Sequence, residues 1–152
     1  MPIECKVTTI STWLAPITVV ETARGVRFVD LDDGARQFRR EAAGEYIRVH
    51  VFSVPLDLCG TPFQLRCWEA MRGIPYGQTI TYAQEGLMAG TRGFQAVGQA
   101  NRKNPVPILV PCHRVVSLSG PGGYFGDRLD RKKQLLEFEG CALPADWDWE
   151  PR

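Results

Sequence analysis

TYAQEGLMAGTRGFQAVGQANRKN, residues 81–104, is the stretch from which the organisation of the chain can be read. Thr81 followed three residues later by Gln84 is a capping-box pattern, so a helix is expected to begin there, with Gly86 or Gly90 marking its end. A second short helix is expected to start near Thr91, and its Ala96, Gly98, Gln99, Ala100 and Asn101 are small or polar. Two short helices joined through Gly90 suit a helix-turn-helix.

Upstream, the composition changes around LCGTP, residues 58–62, where Gly60 punctuates the chain, Thr61 can cap a helix and Pro62 can occupy its first position. The helix that follows carries Phe63, Cys67, Trp68 and Met71 at helical spacing and stops at Gly73. This divides the chain into an N-terminal α/β scaffold domain, 1–58, and a mostly helical C-terminal domain, 59–152. In the first part, residues 7–10, 17–20 and 26–31 are β-branched stretches, the last two separated by the turn-like ETARG of residues 21–25. A short surface helix is expected over 33–43 and a further strand over 47–52, giving a small antiparallel sheet with a helix. The overall class is a two-domain α/β protein.

The chain has 152 residues, 44% hydrophobic and 23% charged, which is ordinary for a globular protein and excludes general disorder. A net charge of +1 marks neither a polyanion binder nor an acidic tail, but the local distribution does carry information. Residues 1–58 hold seven basic and eight acidic side chains, whereas residues 92–133 hold eight basic against two acidic. That second window suits nucleic-acid phosphates or, equally, a solvated helix face. No run of about 18 apolar residues exists, and residues 1–12 alternate polar and apolar positions, unlike a signal peptide. A cytoplasmic protein with no membrane partner is expected.

The cysteines at 5, 59, 67, 112 and 141 are odd in number, scattered and accompanied by only two histidines, so neither a disulfide framework nor a metal site is expected. Cys112 stands apart. NPVPILVPCHRVV, residues 104–116, sets it beside His113 after an apolar run framed by Pro105, Pro107 and Pro111, residues that stiffen a loop. A thiol attacks as the thiolate, so His113, or a water it orients, is the first candidate activator. In an extended segment the two side chains would point to opposite faces, which favours the bridging water. Glu139, at the end of an apolar helical run and just before Gly140, is the candidate to orient the histidine. Taken without further context, the same pair also reads as a small buried residue beside a core histidine.

PCHRVV, residues 111–116, resembles the active-site signature of the O6-alkylguanine-DNA alkyltransferases. GTPFQ (60–64), IPYG (74–77), TY (81–82), AVG (96–98), NPVPI (104–108), GY (123–124) and LLEFEG (135–140) follow that family's order and spacing. The resemblance implies a ribonuclease H-like N-terminal sheet, a helix-turn-helix C-terminal domain with an active-site loop, and irreversible transfer of the alkyl group of O6-methylguanine, and of O4-methylthymine, to Cys112. It assigns activation of the thiol to His113 and Glu139, a proton or hydrogen bond to the flipped guanine to Tyr82, and bracing of the turn before the active site to Asn104. Tyr124 and Phe125 would wall the pocket, Pro107 and the backbone at Val115 would hold the base, and Lys132 would lie near the loop. Ala96 and Gly98 would permit close approach of the second helix in the minor groove of double-stranded DNA. Arg92, Gln95, Arg102, Lys103 and Arg114 complete the DNA-binding set. The protein would act as a monomer without a cofactor, at the nucleoid of a prokaryote or in the nucleus of a eukaryote.

The sequence departs from the family pattern at three places. Gln95 replaces the arginine that fills the gap left by the flipped base, Phe125 replaces a serine, and the loop 117–123 is about one residue shorter than in some relatives. The alternatives are a lesion-binding relative that does not repair, against which Cys112 argues because such relatives lack the acceptor cysteine, and a thiol hydrolase, which would leave Tyr82 and the basic window without a purpose.

Overall fold

Alternation of β-branched residues makes three neighbouring strands at the N-terminal end, β1 (Lys6–Ile10), β2 (Ile17–Thr22) and β3 (Gly25–Asp30). They form an antiparallel sheet in the order β1-β2-β3, with a bulge at Val20 and Glu21. The computed structural model describes residues 6–12, 16–30, 54–124 and 128–150; the expected helix over 33–43, the expected strand over 47–52, Cys5 and Phe125 lie outside them. The chain divides into two units, Met1–Cys59 with Pro105–Pro107, and Gly60–Asn104 with Ile108–Arg152. The inclusion of Pro105–Pro107 in the first unit is invisible in residue order.

In the first unit, Val26 and Val29 are buried. The Val29 amide donates to the Pro105 carbonyl at 2.7 Å, the Val26 amide donates to the Pro55 carbonyl at 2.9 Å, and the Asp57 amide donates to the Val26 carbonyl at 2.8 Å. Asp57 accepts from Thr22 Oγ1 at 2.8 Å and pairs with Arg24 at 2.6 Å. The Thr22 hydrogen bond, aided by Arg24 and Arg27, outweighs burial and holds its carboxyl below the usual range.

The second unit opens with α1 (Pro62–Arg72), started by a reciprocal Thr61/Gln64 capping box and by Pro62 at the first turn. A second reciprocal box, Thr81/Gln84, starts α2 (Tyr82–Met88) directly after the two-residue strand β4 (Ile80–Thr81). Gly86 lies inside α2, and the turn comes at Gly90, whose φ of 77° is open to glycine. The next helix, α3 (Phe94–Arg102), begins later than Thr91. Thr91 Oγ1 instead accepts from the Gly93 amide, and Gly93 occupies the cap position, so residues 91–93 are spent on the turn.

Cys67, Trp68 and Met71 of α1 are buried, as are Val97 and Ala100 of α3. The Trp68 indole N–H donates to the Ala100 carbonyl at 2.9 Å, adding a directional tie to that apolar packing. After α3 the chain forms a 3₁₀ turn at Cys112–Arg114 and then β5 (Val115–Val116), which pairs in parallel with β4 through Ile80 and Val115. The final helix α4 (Leu129–Phe138) buries Leu135 and Leu136 and delivers Glu139 at its C-terminal cap. Among the described residues, no helix is long and apolar enough to cross a membrane.

Candidate active site

Cys112 is not in an extended segment. It heads a 3₁₀ turn in which the Arg114 amide donates to the Pro111 carbonyl at 2.9 Å, so the expected opposition of the Cys112 and His113 side chains across a strand is corrected. Asn104 donates through Nδ2 to the Val110 carbonyl at 2.8 Å, bracing the stretch between α3 and the turn. Ile108, within that stretch, has a φ of 72°, a conformation costly for a β-branched residue.

His113 is buried, and its Nε2 lies 2.7 Å from Glu139 Oε1. Arg114 clamps the same carboxylate, with Nε 2.9 Å from Oε2 and Nη2 2.9 Å from Oε1, and the Gly77 amide adds a donor to Oε2 at 3.2 Å. Burial opposes ionisation of Glu139, but the hydrogen bonds from His113 and Arg114 and the Arg114 charge outweigh it and hold the carboxyl at about 2. An ionised Glu139 accepts only, so Nε2 of His113 carries its proton and Nδ1 is left with a lone pair. Nδ1 is buried and has no hydrogen-bond partner among the described residues. Burial lowers the His113 pKa, keeping the ring neutral. The site therefore contains a correctly tautomerised base.

Arg114 requires a correction. The family resemblance puts it among DNA-facing cations, but its side chain is buried, its Nη1 donates to the Ile74 carbonyl at 2.8 Å, and its guanidinium lies over the Tyr76 ring. A buried carboxylate requires such a partner, and a partner 25 residues away has no signature in spacing.

Cys112 is buried with 7% of its surface exposed and reaches the wall of a cavity of about 460 Å³. Burial raises its pKa, only partly offset by a hydrogen bond with the Asn104 side chain and by the charge of Lys132. The resting group is the thiol. Lys132 is fully buried, its Nζ donating to the Val115 carbonyl at 2.6 Å and to the Gly123 carbonyl at 3.1 Å; burial lowers its pKa to about 8. It thus ties β5 to the loop that carries Tyr124.

Tyr82, Tyr124 and Gly123 share the cavity wall with Cys112, facing Gln95, Ala96, Gly98 and Arg102 from α3. The Tyr82 hydroxyl accepts from the Gly123 amide at 3.3 Å, and burial raises its pKa, so it remains a phenol. Gly122, at φ 74°, passes so close to this ring that a Cβ would lie 2.9 Å from the hydroxyl oxygen. Pro107, Val115 and Lys132 are buried and are not on the cavity wall; Arg92 and Lys103 are exposed flanks of α3. Asn101 is on the wall and bonded to the buried Glu85; the sequence marks it only as one of the small and polar residues of its helix, because a polar pair across two helices leaves no periodic signal.

The model for the 6-O-methylguanine DNA methyltransferase DNA-binding domain matches residues 62–141. The methylated-DNA–protein-cysteine methyltransferase of Mycobacterium tuberculosis is 48% identical over 96 residues, 62% of this chain and 58% of that protein. The crystal structure of the M. tuberculosis O6-methylguanine methyltransferase aligns at a TM-score of 0.76 and 32% identity, over 94% of this chain and 97% of that one. A structure of the M. tuberculosis OGT in complex with DNA aligns at 0.74 and 31% identity, over 88% and 92%. The first match spans little more than half the length of the curated relative.

Proposed function

The chain belongs to the O6-methylguanine-DNA methyltransferase family, and from that membership we propose that it repairs O6-alkylguanine in duplex DNA by moving the alkyl group irreversibly onto Cys112. The observation that carries this reading is the joint position of Cys112, Tyr82 and Tyr124 on one cavity wall, next to the His113–Glu139 pair.

The thiol gives its proton through a water to Nδ1 of His113, whose positive charge is stabilised by Glu139. The thiolate sulfur attacks the methyl carbon, an S–C bond forms, and the C–O6 bond breaks with its electron pair left on guanine. Tyr82 donates its hydroxyl proton to the guanine ring and recovers one through water, the proton taken from the thiol by His113 closing the balance, so the base leaves neutral and Cys112 becomes S-methylcysteine. The acceptor is a side chain, and the reaction balances without a cofactor. Once methylated, the sulfur has no proton to lose and the molecule acts only once. O4-methylthymine presents the same methyl–oxygen bond and is included in the substrate range.

A stacked guanine cannot be reached, so the nucleotide is turned out of the duplex into the cavity. Its volume of about 460 Å³ falls within the usual range of small-ligand sites. We read α2 and α3 as a helix-turn-helix that lays α3 in the minor groove, with Ala96 and Gly98 allowing close approach, Gln95 against the orphaned cytosine, and Arg92, Arg102 and Lys103 on phosphates. Val115 is assigned to holding the flipped base through its backbone, Pro107 is carried with it from the family resemblance, and Phe125 follows Tyr124 in the chain. The sheet unit serves as the ribonuclease H-like companion. A monomer suffices, acting in the cytoplasm at the nucleoid, or in the nucleus if the source is eukaryotic.

Intact mass after mixing with excess O6-methylguanine duplex, followed by peptide mapping, tests this. One methyl on Cys112, saturating at one per chain, is expected; Cys112→Ser should gain none while still binding the duplex. Preferential binding of the methylated duplex with no mass gained by the natural protein would replace repair with lesion recognition alone.

A further inference from the structure

Glu85 is completely buried between α2 and α3, and Asn101 Nδ2 donates to its Oε2 at 2.6 Å. The second oxygen of each group, Glu85 Oε1 and Asn101 Oδ1, is also buried and has no hydrogen-bond partner among the described residues. An ionised Glu85 would therefore leave two acceptors unsatisfied and a buried charge without a cation, an arrangement that folded proteins avoid. One proton on Oε1 would supply the missing donor and close a neutral acid–amide pair, in which Oε1–H donates to Oδ1.

The location gives that pair a function. Glu85 lies one turn after Tyr82 on α2, and Asn101 precedes Arg102 on α3 and reaches the cavity wall. Apolar contacts such as Val97 and Ala100 hold the helices together without fixing their register, whereas a two-bond pair fixes it. The titratable groups that feel Glu85 are Cys67 from α1, Tyr82 from α2 and Cys112 from the active-site turn; a negative charge on Glu85 would disfavour ionisation of all three.

Resting on the repair reading, we propose that Glu85 is a positioning residue that works as its neutral acid, registering Tyr82 against the DNA-facing helix through Asn101 and sparing the Cys112 thiolate a neighbouring charge. Burial raises the carboxyl to about 7 despite the Asn101 hydrogen bond, in keeping with that protonation state near neutrality.

Glu85→Gln can form both bonds without a titratable proton, and Glu85→Leu can form neither. Single-turnover methyl transfer from an O6-methylguanine duplex should be measured for all three proteins across a pH series. The Gln variant should stay within about twofold of the natural protein near pH 6 and exceed it by roughly tenfold at about pH 8, where only about a tenth of a group titrating near 7 keeps its proton. The part of Cys112 ionisation that does not depend on Glu85 is common to both and cancels in the ratio, which leaves the Glu85-linked part as the signal. The Leu variant should be slower at every pH. A ratio that does not change with pH, or a Leu variant as fast as the natural protein, would overturn the proposal. An infrared difference spectrum between the natural protein and Glu85→Gln reads the same proton without catalysis. A protonated-carboxyl band that fades through about pH 7 is expected, and its absence at pH 6 would overturn the proposal. If no protein transfers methyl at any pH, the repair reading fails while the infrared result still reports on Glu85.

Discussion

Gln95 is the residue at which this chain departs furthest from the family pattern in the region we assign to DNA. Its amide can hydrogen-bond an orphaned cytosine but brings no charge, and charge-assisted hydrogen bonds are the stronger kind. Gln95→Arg is expected to speed repair of duplex DNA by about tenfold, equivalent to about 1.4 kcal/mol, with little change for free O6-methylguanine base. Equal acceleration of both substrates would place the effect in the pocket instead of in base extrusion. Arg114 makes the complementary point. Counted with the exposed cations by composition, it is spent on Glu139, so its charge serves the histidine and not the phosphates. The two arginines in this comparison, one missing and one internal, explain why a basic window alone overstates the DNA-binding surface.

At the scale of elements, the two capped helices carry the site. Thr81 accepts from the Gln84 amide while Gln84 returns a bond to the Thr81 amide, and Tyr82 is the first residue of the helix so begun. Thr81→Ala should lower stability by about 1 kcal/mol in urea unfolding and slow transfer by displacing Tyr82, while Thr81→Ser should restore both. These starts were legible because capping is local: Thr61 with Pro62 and Thr81 with Gln84 announce α1 and α2 within four residues. The start of α3 was not, since Thr91 resembles a cap but uses its hydroxyl on Gly93 within the turn. The prolines and β-branched neighbours of Cys112 favour an extended segment, and the backbone bond from Arg114 to Pro111 overrides them with a turn. Cys112, His113 and Glu139 were recognisable through the PCHRVV and LLEFEG motifs; the Glu85–Asn101 and Arg114–Glu139 pairs depend on side chains brought together only by folding.

For the whole molecule, two buried carboxyls give stability opposite dependences on pH. Glu139 titrates at about 2 in the fold and near 4.5 when unfolded, so its contribution is complete above about 4.5 and is lost as pH falls toward 2. The stability gap between the natural protein and Glu139→Gln should be widest above about pH 4.5 and shrink steadily below it; urea midpoints over an acid series would measure this, and a gap independent of pH would contradict the ionised clamp. Glu85 acts in the reverse sense, since its folded value of about 7 means that stability declines as pH rises from 4.5 toward 7. Conditions gentle to one carboxyl strain the other. The parallel pairing of Ile80 with Val115 and the bond from His113 to Glu139 also bear on how the molecule is made. Both join stations far apart along the chain, and such closures come late because their entropy is spent before any local contact repays it. During synthesis the thiol is translated before the glutamate that orients its neighbouring histidine, so a growing polypeptide holds Cys112 without that completed pair until residue 139 has been added.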